Sequence, residues 1–443
     1  MSYSRYFLPL SLLLSFILLI QNAHATPKIQ SWLTKNGTKV LFVEAPEIPM
    51  LDIRVVFDAG SARDGKKYGV ALVTSDLLTE GAGKWSADDI AERLAAVGSN
   101  LGSTSAKDMA WITLRTLTEK EALKTSLETM EAVINHPKFP KKDFERQIQN
   151  MTIGLRREQQ SPSAIASRIY SENIYQNHPY GHRSAGTKET IPLLTRSDAF
   201  AFHKQFYVGK NAIIAMVGAI KRPQARAISE QLTSAMSKGE HAAALPVLKL
   251  NNKAVNKQIH FPSTQSHIRM GQVLVNREDP DYMALYVGNH LLGGSGLVSL
   301  LADEVREKRG LSYSVYSYLS PMREKGQYTF GAQTKTVKTQ EALQVIQQTL
   351  IDFIKKGPDP EKLNATKKNI TGGFPMKVAS NRKIAQYIAM IAFYDLPLDY
   401  LDTFVKRVNA IDVKAVKDAF KRRVHADKMV TIIVGKNAAS TKK

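Results

Sequence analysis

The sequence predicts an α+β fold of two homologous domains, each a mostly antiparallel sheet with helices packed on one face. Strand-like apolar runs and helix-period stripes alternate along the chain. That order is then written a second time. Ile53-Arg-Val-Val is matched by Ile268-Arg-Met-Gly, Ser75-Asp-Leu-Leu by Asn289-His-Leu-Leu, Pro140-Lys-Lys-Asp by Pro360-Glu-Lys-Leu, and Asn211 to Gly218 by Lys428 to Gly435, at offsets of about 214 to 220 residues. Four ordered matches indicate an internal duplication. A chain of 443 residues, 43% apolar and 23% charged, has the material for two cores.

The first segment stands apart. Arg5 precedes an uncharged run from Phe7 to Ile20, and Ala23-His-Ala25 supplies a small-x-small site, so residues 1–25 read as a secretory signal peptide cut after Ala25. The alternative, an uncleaved anchor, needs roughly 20 apolar residues to span a bilayer. A signal peptide places the mature chain in the periplasm or outside the cell. The remainder divides into an N-terminal domain at 26–237, a linker at 238–257 with Pro246 and little periodicity, and a C-terminal domain at 258–443.

Within the first domain, Ile29 to Val43 alternates around Asn36-Gly37 and reads as a β-hairpin, followed by a strand from Leu51 to Phe57. Gly69 to Gly81 reads as a short buried helix. Ser86-Ala-Asp-Asp89 is a capping signature ahead of Ile90, Leu94 and Val97. Two strands, 99–103 and 109–117, lead to a helix with Leu123, Leu127, Met130 and Ile134 on one face. A polar helix from Lys141 to Gln159, another from Ser161 to Tyr175, the loop His178-Pro-Tyr-Gly-His182, a helix from Arg196 to Phe206 and a strand at 211–218 complete the half.

The formal net charge is +21, and the leader contributes only Arg5 to it. Such a balance favours anionic surfaces, peptides or an acidic partner. The lysines are scattered rather than interleaved with aromatics, which argues against nucleic-acid binding. With no cysteine, the chain has no thiolate for metal binding or nucleophilic catalysis. There is no G-x-S-x-G elbow, and Gly293-Gly-Ser-Gly296 lacks the lysine and preceding strand of a phosphate loop.

The order of Asp58-Ala-Gly-Ser61, Gly69-Val-Ala71, His178-Pro-Tyr-Gly181, the terminal Val-Gly strands and Val305-Arg-Glu-Lys-Arg-Gly-Leu-Ser-Tyr313 resembles the M16 (pitrilysin and mitochondrial-processing-peptidase-like) peptidases, two-domain branch. The resemblance runs from about Lys28 to Lys436. Active members carry H-x-x-E-H on the helix after G-x-A, where two histidines bind zinc and the glutamate activates water. Here those positions hold Leu72, Ser75 and Asp76. A third ligand, a glutamate on a later helix, falls near Asn150 to Thr152, with Glu145 and Glu158 on either side. By resemblance, then, this chain binds no zinc and has no catalytic site of its own. His178 and His182 have metal-like spacing, but Pro179 and Gly181 exclude a helix between them, and a packed structural loop is the expectation. His290 is expected to be a satisfied core or interface group.

The second copy offers Arg306 and Tyr313. Glu304 to Arg309 should finish a helix that Gly310 terminates, and Leu311 to Tyr318 should continue as a strand alternating Leu311, Tyr313 and Val315 with Ser312, Ser314 and Tyr316. In the family the matching pair holds the peptide backbone and helps stabilise the oxyanion, a task for a fixed cation and a hydroxyl donor. Against this stands a surface arginine paired with Asp303, Glu304 or Glu307, with Arg309 as a competitor for the role. Gly293, Gly294, Ser295 and Gly296 fall where the non-catalytic subunit of the mitochondrial enzyme has a glycine-rich substrate loop, or else cap the helix ending at Leu292. The resemblance thus implies a non-catalytic subunit that joins an H-x-x-E-H-containing M16 partner as a heterodimer. Zinc would sit in the partner, a peptide would be the substrate, and a homodimer is the assembly without the partner. The alternative is a catalytically dead M16-fold structural or peptide-binding protein.

Overall fold

The computed structural model describes residues 28–250 and 253–436; the signal peptide expected at 1–25 lies outside the described residues. The chain begins with the expected hairpin, β1 (Gln30–Leu33) and β2 (Lys39–Glu44), paired with Trp32 opposite Val40. β3 (Met50–Phe57) follows, then helix α1 (Val70–Leu77) and a two-residue ribbon, β4 (Gly81–Ala82) with β5 (Trp85–Ser86). Helix α2 (Ala87–Ala96) starts at the predicted capping box, in which Ser86 and Asp89 each accept the other's backbone N–H. Next come β6 (Asn100–Ser105), β7 (Ala110–Leu117), α3 (Lys120–Asn135), α4 (Lys141–Gln159), α5 (Pro162–Tyr175), α6 (Arg196–Phe206), β8 (Ala212–Gly218) and α7 (Arg222–Thr233).

Residues 237–250 carry no helix or strand, and β9 (Val255–His260) opens the second half. It is followed by β10 (Gln265–Val273), α8 (Tyr282–Asn289), β11 (Ser312–Ser320), β12 (Gln327–Lys335), α9 (Thr339–Lys356), α10 (Pro360–Lys377), α11 (Asn381–Phe393), α12 (Tyr400–Asn409), α13 (Val413–Arg423) and β13 (Val430–Gly435). Among the described residues, no helix is long and apolar enough to cross a membrane.

The strands form two sheets of matching order, β1-β2-β8-β3-β7-β6 and β11-β12-β10-β13-β9. In these sheets β2 with β8 and β9 with β13 run parallel, and the other neighbours are antiparallel. β3 lies between β8 and β7 as β10 lies between β13 and β12, so the repeated Ile53 and Ile268 runs occupy equivalent places. Among the described residues, the second sheet lacks only a counterpart of β1.

Each sheet carries helices of its own half on one face, as expected. The other face is covered by a helix from the opposite half. α5 packs on β10 and β13 of the second sheet, and α11 packs on β3 and β8 of the first. Ala166, Tyr170 and Ile174 share a core with Val273, Val430, Ile432 and Val434, while Ile384, Ile388 and Ile391 share one with Val56, Ala215 and Val217. Strands buried on both faces cannot alternate, which explains the near-continuous apolar runs of β8 and β13. Tyr170 anchors the first exchange: its hydroxyl donates to the Tyr328 carbonyl at 2.9 Å. Gly271 admits that approach, since a Cβ there would lie 2.4 Å from the Tyr170 oxygen and 1.9 Å from the Tyr328 carbonyl.

Candidate functional site

Helix α1 is built as the sequence suggests, and its N-terminus is held from below. Asp64, buried, accepts the backbone N–H groups of Gly69 at 2.8 Å and Ala71 at 2.9 Å. Its other contact is His182 Nε2 at 3.1 Å, and the His182 ring stacks on Tyr68 at 4.2 Å. Burial pushes the Asp64 carboxyl up against the opposing pull of His182 and the two amides. His178 accepts the Tyr180 N–H through Nδ1, leaving Nε2 to donate to the Pro246 carbonyl at 3.0 Å. Burial lowers its pKa, so it stays neutral. The His-Pro-Tyr-Gly-His loop is therefore a packed support for α1, and its two imidazoles are turned to different partners.

The three positions of the zinc motif do not fit a metal ion. Leu72 has no donor atom, and Ser75 is fully buried beside Tyr207. Asp76 is a half-buried carboxylate whose pKa is raised to about 6, first by desolvation and then by Glu80 one turn on. Glu80 is engaged by Arg146 at 2.6 Å, which also holds Asp143 at 2.7 Å. On α4, Met151 is buried in the core and Thr152 Oγ1 donates back to the Ile148 carbonyl at 2.8 Å. Glu145 lies 3.9 Å from Lys141, and Glu158 is bound by Arg183. Among the described residues, no group of three or more His, Asp or Glu side chains is placed to hold a metal.

Arg306 and Tyr313 do come together. The Arg306 guanidinium sits over the Tyr313 ring, 4.6 Å from its centroid, a cation–π contact. Arg306 also reaches Glu307 through Nε at 3.3 Å, so the surface ion pair weighed from sequence is present alongside the tyrosine contact. Arg309, the expected competitor, is held by the Glu304 carboxylate at 2.6 Å and the Glu304 carbonyl at 2.7 Å.

The strand leading through Tyr313 departs from the predicted alternation. Ser312 pairs with Thr334 and Ser314 with Gln333, so Tyr313 is the extra residue of a β-bulge. Ser312 Oγ fastens the bulge, lying 2.8 Å from the Ser314 carbonyl and 2.7 Å from that of Gln333. In a regular strand Tyr313 would share the buried face of Leu311 and Val315. The bulge turns it outward instead, 87% exposed. The helix carrying Arg306 also differs from expectation, since Ala302–Glu307 is a wide π-helical turn, a local geometry found often at functional sites.

Gly293 to Gly296 form no free loop. His290–Gly294 continues α8 as a second π-helical turn, past the predicted end at Leu292. A Cβ on Gly293 would lie 2.4 Å from Ser317 Oγ and 2.6 Å from Ser317 N, so this glycine lets the helix touch β11. Gly294 packs on Asn289, and Ser295 and Gly296 lead to Leu297 and Val298, which are 64% and 76% exposed. His290 is bonded to Asn369 at 2.9 Å.

One cluster had no signal in the sequence. Asp108, buried in the turn between β6 and β7, accepts the hydroxyls of Tyr180 and Tyr394, the latter at 2.9 Å, and the Arg323 N–H at 2.9 Å. It thereby ties both halves together. Lys107 beside it donates to the His182 carbonyl, and burial lowers its pKa to about 8 against the attraction of Asp64 and Asp108. No local spacing marks Lys107-Asp108, because its partners lie more than seventy residues away.

Residues 39–188 match the family described as insulinase (peptidase family M16), and residues 193–370 match the peptidase M16 inactive domain. The chain is similar to the crystal structure of a peptidase M16 inactive domain from Pseudomonas fluorescens, with 36% identity, a TM-score of 0.90, and coverage of 93% of this chain and 98% of that one. A protease from Helicobacter pylori superposes with a TM-score of 0.85 at 20% identity, over 92% of this chain and all of that chain (100%). The non-peptidase homolog YmxG of Helicobacter pylori is 23% identical over 401 residues, 89% of this chain and 91% of that protein. The uncharacterized zinc protease YmxG of Bacillus subtilis is 21% identical over 406 residues, 91% of this chain and 98% of that protein.

Proposed function

This chain belongs to the M16 peptidase family, and on that premise we propose that it is the non-catalytic subunit of a two-subunit M16 peptidase. It supplies Arg306 and Tyr313 to a partner M16 subunit that carries H-x-x-E-H and the zinc. The observation that carries this reading is the Arg306 guanidinium over the Tyr313 ring, with Tyr313 turned outward by a fastened bulge, in a chain whose described residues hold no group of three His, Asp or Glu placed for a metal. The guanidinium, fixed by the ring beneath it, faces the peptide carbonyl and the negative charge that develops on its oxygen. The phenol, on an exposed bulge, donates a second hydrogen bond to the same peptide. The descriptions of two relatives, one a non-peptidase homolog and one an inactive domain, accord with a subunit that does not cleave alone. The heterodimer acts on peptides in the periplasm or outside the cell, after cleavage of residues 1–25 as a signal.

The test is a reconstitution. The purified chain alone should bind no stoichiometric zinc and cleave no peptide, and mixing with an H-x-x-E-H M16 chain encoded beside it should give chelator-sensitive peptidase activity. In that mixture Arg306→Ala with Tyr313→Phe should lower kcat/KM by about a hundredfold or more, the loss typical of removing a donor to the oxyanion. Full activity of the double variant would refute the role of the pair. A second reading, a catalytically dead structural or peptide-binding protein, is favoured by the Arg306–Glu307 contact. It expects no activity with any partner.

A further inference from the structure

The second half holds a groove that the Arg306–Tyr313 pair does not use. It lies among α8, α10 and α11, with Ser317 to Leu319 of β11 also lining it, and its volume is about 920 Å³. Three cations line it, Arg277, Lys377 and Lys383, together with Tyr286, Tyr387 and Tyr400, and no Asp or Glu does. Lys377 Nζ lies 3.1 Å from the Tyr286 hydroxyl, and Lys383 Nζ donates to the Met376 carbonyl at 2.8 Å. Arg277 lies over the Tyr394 ring at 5.0 Å, and its Nε is buried without a hydrogen-bond partner.

Half-buried cations ordinarily find carboxylates, because desolvating a charge without a counter-charge is costly. Here Arg277 is half-buried and Lys377 and Lys383 are exposed beside it, and none of the three has an ion-pair partner among the described residues. Low-dielectric aromatic walls concentrate their field on the space between them. That space accepts an anion, and the tyrosine faces beside it accept an apolar side chain. Both features are combined in a peptide bearing a carboxylate next to an aliphatic or aromatic residue. We propose that this groove is a binding site for a peptide carboxylate, either a C-terminus or an Asp or Glu side chain.

Strand β11 joins the groove to the pair already described. Tyr318 lines the groove, and Tyr313 lies five residues earlier on the same strand, a span of roughly 17 Å at about 3.3 Å per residue. One extended peptide of about five residues covers both. Binding in the groove does not require a partner subunit, so it is measured on this chain alone and stands or falls apart from the proposed heterodimer.

Isothermal titration calorimetry on the purified full chain provides the test, with three N-acetylated pentapeptides. The first is tetra-alanyl-leucine with a free C-terminus, the second its C-terminal amide, and the third that amide with glutamate in the fourth position. At least one of the two carboxylate peptides should bind, and more weakly as salt rises from about 50 to about 500 mM. Binding of the first identifies a C-terminus as the ligand, and binding of the third a side chain. Lys377→Gln and Arg277→Gln should each weaken that binding about tenfold, the effect of losing one charge-assisted contact. Lys377 sits on an exposed face of α10, so K377Q should keep the thermal midpoint of the parent. Equal binding of the neutral amide, no binding of either carboxylate peptide, or unchanged affinity in both variants would overturn the proposal.

Discussion

Tyr170 belongs by sequence to the first half and by contact to the second, so its replacement should be felt at a distance along the chain. Its side chain is 2% exposed, its hydroxyl donates to the Tyr328 carbonyl, and burial keeps the phenol neutral by raising its pKa. Tyr170→Phe removes the bond to the Tyr328 carbonyl and the longer one accepted from Thr329 Oγ1 at 3.3 Å while keeping the ring, a loss of about 1 kcal/mol. Tyr170→Ala also empties the space the ring fills, and large-to-small aromatic changes in cores cost about 3–5 kcal/mol. Hydrogen exchange followed by mass spectrometry resolves where the loss falls. Amides of β10 and β13 should exchange about fivefold faster in Tyr170→Phe, the factor set by roughly 1 kcal/mol of opening free energy. They should exchange far faster in Tyr170→Ala, while β3 and β8 change less. Faster exchange confined to β3 and β8, with β10 and β13 unaffected, would refute the assignment of α5 to the second sheet.

Further consequences are open to measurement. Because the folded pKa of Asp76 is raised to about 6 above an unfolded value near 4, the folded state binds more protons between those limits, and stability falls as pH rises through that window. Asp76→Asn should therefore raise the unfolding free energy at pH 7.5 by about 1–2 kcal/mol after allowance for partial exposure, and change it little at pH 4; thermal denaturation at the two pH values compares them. Tyr394→Phe removes one donor to Asp108 at the junction of the halves and should cost about 1–2 kcal/mol in urea unfolding, with both halves still melting in one transition. Two separated transitions in the parent protein would show the junction and the exchanged helices to be weaker ties than their geometry implies.

Much of the architecture could be read before the structure, because it rests on local signals. The capping box at Ser86, the hairpin turn at Asn36-Gly37 and the Leu123 to Ile134 stripe each act over a few residues, and the duplication doubles every such signal. The helix exchange left no mark of that kind. α5 and α11 are apolar in the way of any packed helix, and nothing in their periodicity says which sheet they cover. The pair at Arg306 and Tyr313 was legible as residue types, but the device that presents it was not. A bulge costs one residue of register, and it is fixed by a serine whose acceptors lie two and twenty-one residues away. The place of Gly293 stayed open for a similar reason: a glycine-rich stretch reads as a loop or a helix cap, whereas here the missing side chain lets a continuing helix meet a neighbouring strand. The tyrosine groove and the Asp108 cluster are assembled from distant segments that carry no motif of their own.

The exchange of helices also sets an order on synthesis. When β8 has been made, the face of the first sheet that α11 will cover has no occupant for roughly another 160 residues of chain. Val56, Ala215 and Val217 must wait that long for Ile384 and Ile388. The first half thus cannot settle into its final core as it emerges, and a fragment ending near residue 250 would display a bare apolar sheet face. The two sheets are therefore completed together, once α11 has been made, rather than one after the other.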